Sequence, residues 1–61
     1  MVNLERIKQL ASEKGISISK LEKETGLANA TIRKWKNSNP QIDTLIKVAR
    51  FFKVPVEELL S

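Results

Sequence analysis

Hydrophobic residues recur at intervals of three and four along most of the chain, which is the spacing of a helix that buries one face. The first repeat begins at Leu4 and predicts a helix over residues 4–14. Asn3 is suited to cap the start of this helix and Gly15 is suited to end it. Strand-like alternation nowhere extends over four residues, so the pattern predicts an all-α fold.

The second half of the chain repeats the helical spacing. Hydrophobic positions from Ile42 to Phe52 form one stripe and predict a fourth helix over residues 41–53. Pro55 is favoured near a helix start and opens a last short helix. We expect three of its residues to point inward, namely Val56, Leu59 and Leu60. With two short helices in the middle, the pattern predicts a single compact five-helix domain over residues 1–61.

The middle of the chain predicts two short helices joined by a tight turn. The first is capped by Ser17 or Ser19, and Ser19 with Glu22 has the spacing of a capping box. Gly26 ends this helix, because the turn needs a positive φ that a β carbon resists. The next helix is predicted over residues 29–37. A shared apolar seam would fix the angle between the two, as in a helix-turn-helix, and consists of Leu21, Leu27, Ile32 and Trp35.

The third predicted helix presents a cationic, amide-bearing face. At about 100° per residue, the side opposite the core residues Ile32 and Trp35 carries no acid. Five residues form that side or its flank: Asn29, Ala30, Arg33, Lys34 and Asn37. Amides pair with adenine, Arg and Lys pair with guanine, and an alanine methyl can touch thymine. The face is therefore suited to the major groove of DNA.

Charge and composition agree with a nucleic-acid partner. Eleven Lys and Arg against seven Asp and Glu give a net charge of +4, which favours phosphates. The excess is local, because residues 27–53 hold six cations against one acid while the remaining residues sum to −1. The chain has no Cys, His or Tyr, so disulfides and the commonest zinc ligands are excluded and little remains for catalysis. We expect no enzymatic activity, no metal and no cofactor.

No more than two hydrophobic residues are consecutive anywhere in the chain. This pattern excludes a transmembrane helix and a secretory signal. We therefore expect a cytoplasmic, nucleoid-associated protein that does not bind membranes.

Three segments of the sequence, in order and at the correct spacing, resemble the Cro and phage-repressor type of helix-turn-helix DNA-binding domain, the xenobiotic response element family. They are NLERIKQLASEKGIS, SKLEKETGLANATIRKWKNS and PQIDTLIKVARFFKVPVEELL. The resemblance covers nearly the whole chain. It implies a sequence-specific, repressor-like transcriptional regulator of bacterial or phage origin, which inserts residues 29–37 into the major groove and takes no small-molecule substrate.

The resemblance also implies residue roles. Bases are expected to be read chiefly by Asn29, Ala30 and Lys34. Thr31 and Arg33 match positions that contact phosphate or base depending on the family member, and we assign Arg33 to bases and Thr31 to phosphate. The other phosphate contacts are expected at the start of the second helix and at the end of the third with its loop, from Ser17, Ile18, Ser19, Lys36, Asn37, Ser38 and Asn39.

Three residues depart from the family pattern. Ile18 stands where relatives often carry Gln, so only its backbone N–H can hold a phosphate. Glu22 stands where a small residue is usual, which predicts a slightly different helix crossing. Ala28 replaces a capping Ser or Thr. Either the recognition helix lacks that cap, at a cost of about 1 kcal/mol, or Asn29 caps it and is less free to read a base.

A single recognition helix reads only a few base pairs, so we expect a homodimer on a two-fold operator, with half-sites about 34 Å apart. The dimer would be weak without DNA and would form through the loop of residues 37–41 and the last helix. Phe51 lies off the main stripe and is either a partly covered surface aromatic or part of this contact. The alternative is a helix-turn-helix that binds protein, such as an antitoxin or antirepressor partner. Such a module would not need an acid-free cationic face.

Overall fold

The computed structural model describes residues 2–60 and confirms the all-α fold. It contains four α-helices and a 3₁₀ helix: α1 (Leu4–Glu13), α2 (Ile18–Thr25), α3 (Thr31–Lys34), α4 (Ile42–Phe52) and the 3₁₀ helix (Val56–Leu59). Within the described residues, the only extended pairing is an isolated antiparallel bridge between Val2 and Leu60. No helix in that part of the chain is long and apolar enough to cross a membrane.

Every helix contributes side chains to one hydrophobic core. Ile32 and Trp35, predicted to be core, are 2% and 6% exposed. The core also contains Val2, Ile7, Leu10, Ala11, Leu21, Leu45, Val48, Ala49, Phe52 and Leu59. The second helix packs against α1, α3 and α4, so it holds the middle of the chain on this core.

The first helix begins and ends as the sequence predicts. The Oδ1 atom of Asn3 accepts the N–H of Arg6 at 3.1 Å, which satisfies one of the free N–H groups of the first turn. Gly15 follows the helix with a φ of +71°. The N–H of Asn3 donates to the carbonyl of Leu59 at 2.7 Å, so the start of α1 is also tied to the 3₁₀ helix.

The second helix is capped by Ser17, whose Oγ accepts the N–H of Lys20 at 3.1 Å. Ser19 lies inside α2, and Glu22 turns towards the interior. The predicted capping box between these two residues is therefore wrong. Gly26 ends α2 with a φ of +75°, which confirms its predicted role.

The third helix is shorter than the predicted range of residues 29–37. Ala30 has a φ of +66°, which breaks the helix before Thr31. After Lys34 the chain continues in single turns: the N–H groups of Trp35 and Asn37 donate to carbonyls three residues earlier, at 3.1 Å each. The predicted recognition segment is thus one turn of α-helix with a turn on either side.

Two hydrophobic residues that were predicted to face inward are exposed, Ile42 by 59% and Leu60 by 42%. Ile42 is the first residue of α4 and precedes Leu45, where the buried stripe of this helix begins. Because a 3₁₀ helix has three residues per turn, its inward side repeats at Val56 and Leu59 and leaves Leu60 outside.

We expect the substitution Trp35→Ala to remove about 3–5 kcal/mol of stability, because it deletes a large buried side chain and leaves a cavity. A domain of this size has little more to lose. Circular dichroism should show a largely unfolded protein at 25 °C that has also lost DNA binding. A variant that melts cooperatively near the wild type and yet fails to bind would mean that the indole contacts DNA.

Candidate nucleic-acid interface

The turn between α2 and α3 is closed by backbone hydrogen bonds around Gly26. The N–H of Leu27 donates to the carbonyl of Glu22 at 2.8 Å, and the N–H of Gly26 donates to that of Lys23 at 3.3 Å. Leu27 is half-buried against the core. This left-handed ending of α2 directs the chain into α3.

Glu22 of α2 caps the start of α3. Its side chain is buried, with 3% of the residue exposed. One carboxylate oxygen, Oε1, accepts the N–H of Ala30 at 3.1 Å, and the other, Oε2, accepts the N–H of Ile32 at 2.8 Å. N–H groups at the start of a helix have no partner within it. The carboxylate provides these partners and places a negative charge at the positive end of the helix.

This cap replaces both arrangements that the sequence left open. Asn29 is exposed and does not cap α3, and Ala28 is exposed with no side-chain oxygen to offer. The expectation that α3 lacks the usual Ser or Thr cap is confirmed, whereas the expectation of a cap from Asn29 is wrong. Glu22 provides the cap from the neighbouring helix, eight and ten residues earlier in the chain.

Ala30 adopts a left-handed backbone conformation, which costs a residue with a β carbon roughly 1–2 kcal/mol. Such a conformation persists where surrounding bonds impose it. Here the N–H of Ala30 is held by Glu22. Thr31 adds a local bond, because its hydroxyl donates to the carbonyl of Ala28 at 2.6 Å. A phosphate contact by the Thr31 hydroxyl would require it to give up this bond.

The predicted base-reading residues lie around the exposed side of α3. Arg33 and Lys34 are exposed on the helix, Asn29 is exposed in the turn before it, and Ala30 is partly exposed. Among the described residues, Arg33 and Lys34 take part in no ion pair, so both cations are free for a ligand.

Part of the predicted site lines a single groove of about 450 Å³. Asn29, Ala30 and Arg33 line it together with Ser19 and Lys36. The predicted phosphate contacts of the loop do not line this groove. These residues are exposed and follow α3 in the chain, and they are Asn37, Ser38 and Asn39. The Ser38 hydroxyl donates to the carbonyl of Lys34 at 3.1 Å.

Two residues of this region were not predicted from the sequence. Lys8 of α1 lines the groove beside Arg33 and Lys36, although nothing in the spacing of α1 places it near α3. The cap from Glu22 was also missed. Its only signal was an acid at a position where a small residue is usual.

The helix-turn-helix geometry and the cationic side of α3 agree with comparison to known families. A family model for the Cro/C1-type HTH DNA-binding domain matches residues 6–61. The chain belongs to this family. The match includes both helices of the helix-turn-helix and their connecting turn, so the chain is a DNA-binding domain. No curated protein and no solved structure matches it. In this Cro/C1-type domain, no three carboxylates among residues 2–60 lie together in a group that could hold a metal ion.

We expect the substitution Glu22→Ala to destabilise the domain by about 2–4 kcal/mol, because it leaves the buried N–H of Ile32 without an acceptor. Glu24→Ala is the matched control. Glu24 is exposed and forms only an ion pair with Lys20 at 3.5 Å, so its loss should cost at most about 0.5 kcal/mol. Thermal and urea unfolding followed by circular dichroism measure both. Equal stability of the two variants would contradict the capping role.

Proposed function

We propose that this Cro/C1-type domain, a single domain of residues 1–61, is a sequence-specific, repressor-like transcriptional regulator of bacterial or phage origin. It acts in the cytoplasm on the nucleoid and inserts α3 with its flanking turns into the major groove of duplex DNA. The observation that carries this proposal is the acid-free surface of α3 and the turn before it, formed by exposed Asn29, Arg33 and Lys34 and partly exposed Ala30. Its amide and cationic groups match the base edges of that groove.

Four residues are proposed to read bases. The Asn29 amide can donate to and accept from adenine, and Arg33 and Lys34 can donate to guanine. The methyl group of Ala30 can contact thymine. Asn29 precedes Ala30 and lies before α3, whereas Lys34 is its last residue. The two ends of the short helix are therefore expected to read different base pairs.

Phosphate binding is proposed at the start of α2. Its first N–H groups, those of Ile18 and Ser19, have no acceptor among the described residues. Ser17 and Ser19 are exposed beside them, and the positive end of α2 favours an anion. A second set of exposed groups after α3, together with Thr31, completes the proposed phosphate contacts: Lys36, Asn37, Ser38 and Asn39.

A weak homodimer on DNA is proposed through the loop of residues 37–41 and the last helix, which is the 3₁₀ helix Val56–Leu59. Exposed Ile42 follows this loop directly and supports a contact there. For Phe51, its surroundings favour a partly covered surface aromatic over a dimer contact. Its ring stacks edge-on against Phe52 at 5.3 Å between centroids, and the Nζ of Lys14 lies 5.3 Å above it.

Binding to duplex DNA should weaken steeply with salt, because each phosphate contact releases counterions. With three or more contacts and a slope of about −0.9 per contact, affinity should fall at least roughly tenfold between about 50 and 200 mM salt. Fluorescence anisotropy with a pool of labelled duplexes measures this slope. A flat response, or no binding at low salt, would contradict the proposal and favour a protein partner.

Substitutions of two lysines in the same segment should distinguish base recognition from phosphate binding. Lys34→Ala should cost about 1–3 kcal/mol on the preferred site and relax preference at one base pair. Lys36→Ala should weaken binding to all duplexes about equally. Binding titrations over single-base variants of a selected site distinguish the two. Identical profiles would show that the proposed orientation of α3 is wrong.

A further inference from the structure

The third helix is too short to hold its own shape. It has four residues, and the first turn of a helix is unfavourable to form without outside support. The core anchors its middle and end through Ile32 and Trp35. At its start, Ala30 is held in a left-handed conformation and has no place in the core. Two side chains bond the backbone there: the hydroxyl of Thr31 donates to the carbonyl of Ala28, and Glu22 accepts the N–H groups on both sides of Thr31.

We propose that Glu22 is a positioning residue for DNA recognition, which sets base preference by holding the backbone at the start of α3. The inference rests on the proposed function. Glu22 has no direct role at the DNA, because it is 3% exposed and both of its oxygens already accept N–H groups. Its influence passes through Ala30 to the side chain of Asn29, which immediately precedes the held residue.

The effect of Glu22 should be local to one end of the reading surface. Lys34 is followed directly by Trp35, which is buried in the core, so its position does not depend on the cap. Asn29 is exposed in the turn before α3, where hydrogen bonds of Thr31 and Glu22, and not the core, hold the backbone. Loss of the cap should therefore disturb the base pairs read by Asn29 and Ala30 and spare the one read by Lys34.

The substitution Glu22→Gln tests this with Glu24→Gln as its control. Both remove one negative charge from α2, so the two variants have the same net charge. Only Glu22→Gln affects the cap, because an amide offers a single acceptor oxygen and leaves one of the two N–H groups without a partner. The variants and the wild-type reference all carry Lys53→Gly, which relieves the left-handed conformation of Lys53 at the end of α4 (φ +58°), so the loss of this cation is common to every protein compared.

Binding is measured on a selected duplex, on all its single-base variants and on an unrelated duplex, with folding checked by circular dichroism. Separate Asn29→Ala and Lys34→Ala proteins identify the base pairs that each residue reads. We expect Glu22→Gln to lose roughly tenfold discrimination at the Asn29 base pairs. Discrimination at the Lys34 base pair and affinity for the unrelated duplex should match those of Glu24→Gln.

The variant Glu22→Asp provides a second arm. It keeps the charge and both oxygens but withdraws the carboxylate by one methylene, so a smaller loss at the same base pairs is expected. The inference is overturned if the folded variants discriminate like the control at every position, or if they lose discrimination equally at all positions. A wild-type protein that prefers no duplex over another would instead contradict the proposed function.

Discussion

The backbone at the start of α3 depends on the two hydrogen bonds that the carboxylate of Glu22 accepts from it. They join two helices that meet at a turn, and they do so from a buried position, with donor–acceptor distances of 3.1 and 2.8 Å. A carboxylate that accepts two backbone N–H groups forms charge-assisted bonds, which are stronger than bonds between neutral groups. The cap therefore fixes the backbone at the start of α3, which the four residues of this helix cannot do alone.

A buried carboxylate would ordinarily be costly. Removing an ionised group from water costs several kcal/mol unless hydrogen bonds replace its hydration. In this domain both oxygens of Glu22 have donors, and no buried side-chain polar atom among the described residues lacks a partner. The same charge occupies the positive end of α3. At the start of α2, by contrast, the N–H groups of Ile18 and Ser19 have no acceptor among the described residues, which is why phosphate binding is proposed there.

The features that were predicted correctly depend on residues that are close together in the sequence. The spacing of hydrophobic residues gave the helices, Asn3 marked the start of α1, and Gly26 marked the left-handed end of α2. The core role of Ile32 and Trp35 also followed from helical spacing. These features depend on residues within about one turn of each other, which is the range that periodicity and capping rules cover.

Features set by contacts between elements were not predictable in the same way. The cap from Glu22 joins residues eight and ten positions apart, and nothing in an Ala at position 30 signals a positive φ. The late start of α3 follows from that one residue, and its early end follows from the single turns after Lys34. Lys8 of α1 lines the same groove as Arg33, although the two residues lie in different helices. Helical spacing predicts which side of a helix a residue occupies, but it does not predict which residue of another helix it contacts.

The most direct test of this account is nuclear magnetic resonance of the labelled wild-type protein. The measurement is the scalar coupling across the hydrogen bond from the Ile32 amide nitrogen to the side-chain carboxyl carbon of Glu22, recorded with the exchange rate of the same amide. The account predicts a detectable coupling and slow exchange, because this N–H is buried and bonded at 2.8 Å. An Ile32 amide without coupling that exchanges as fast as the free amide of Ser19 would contradict it.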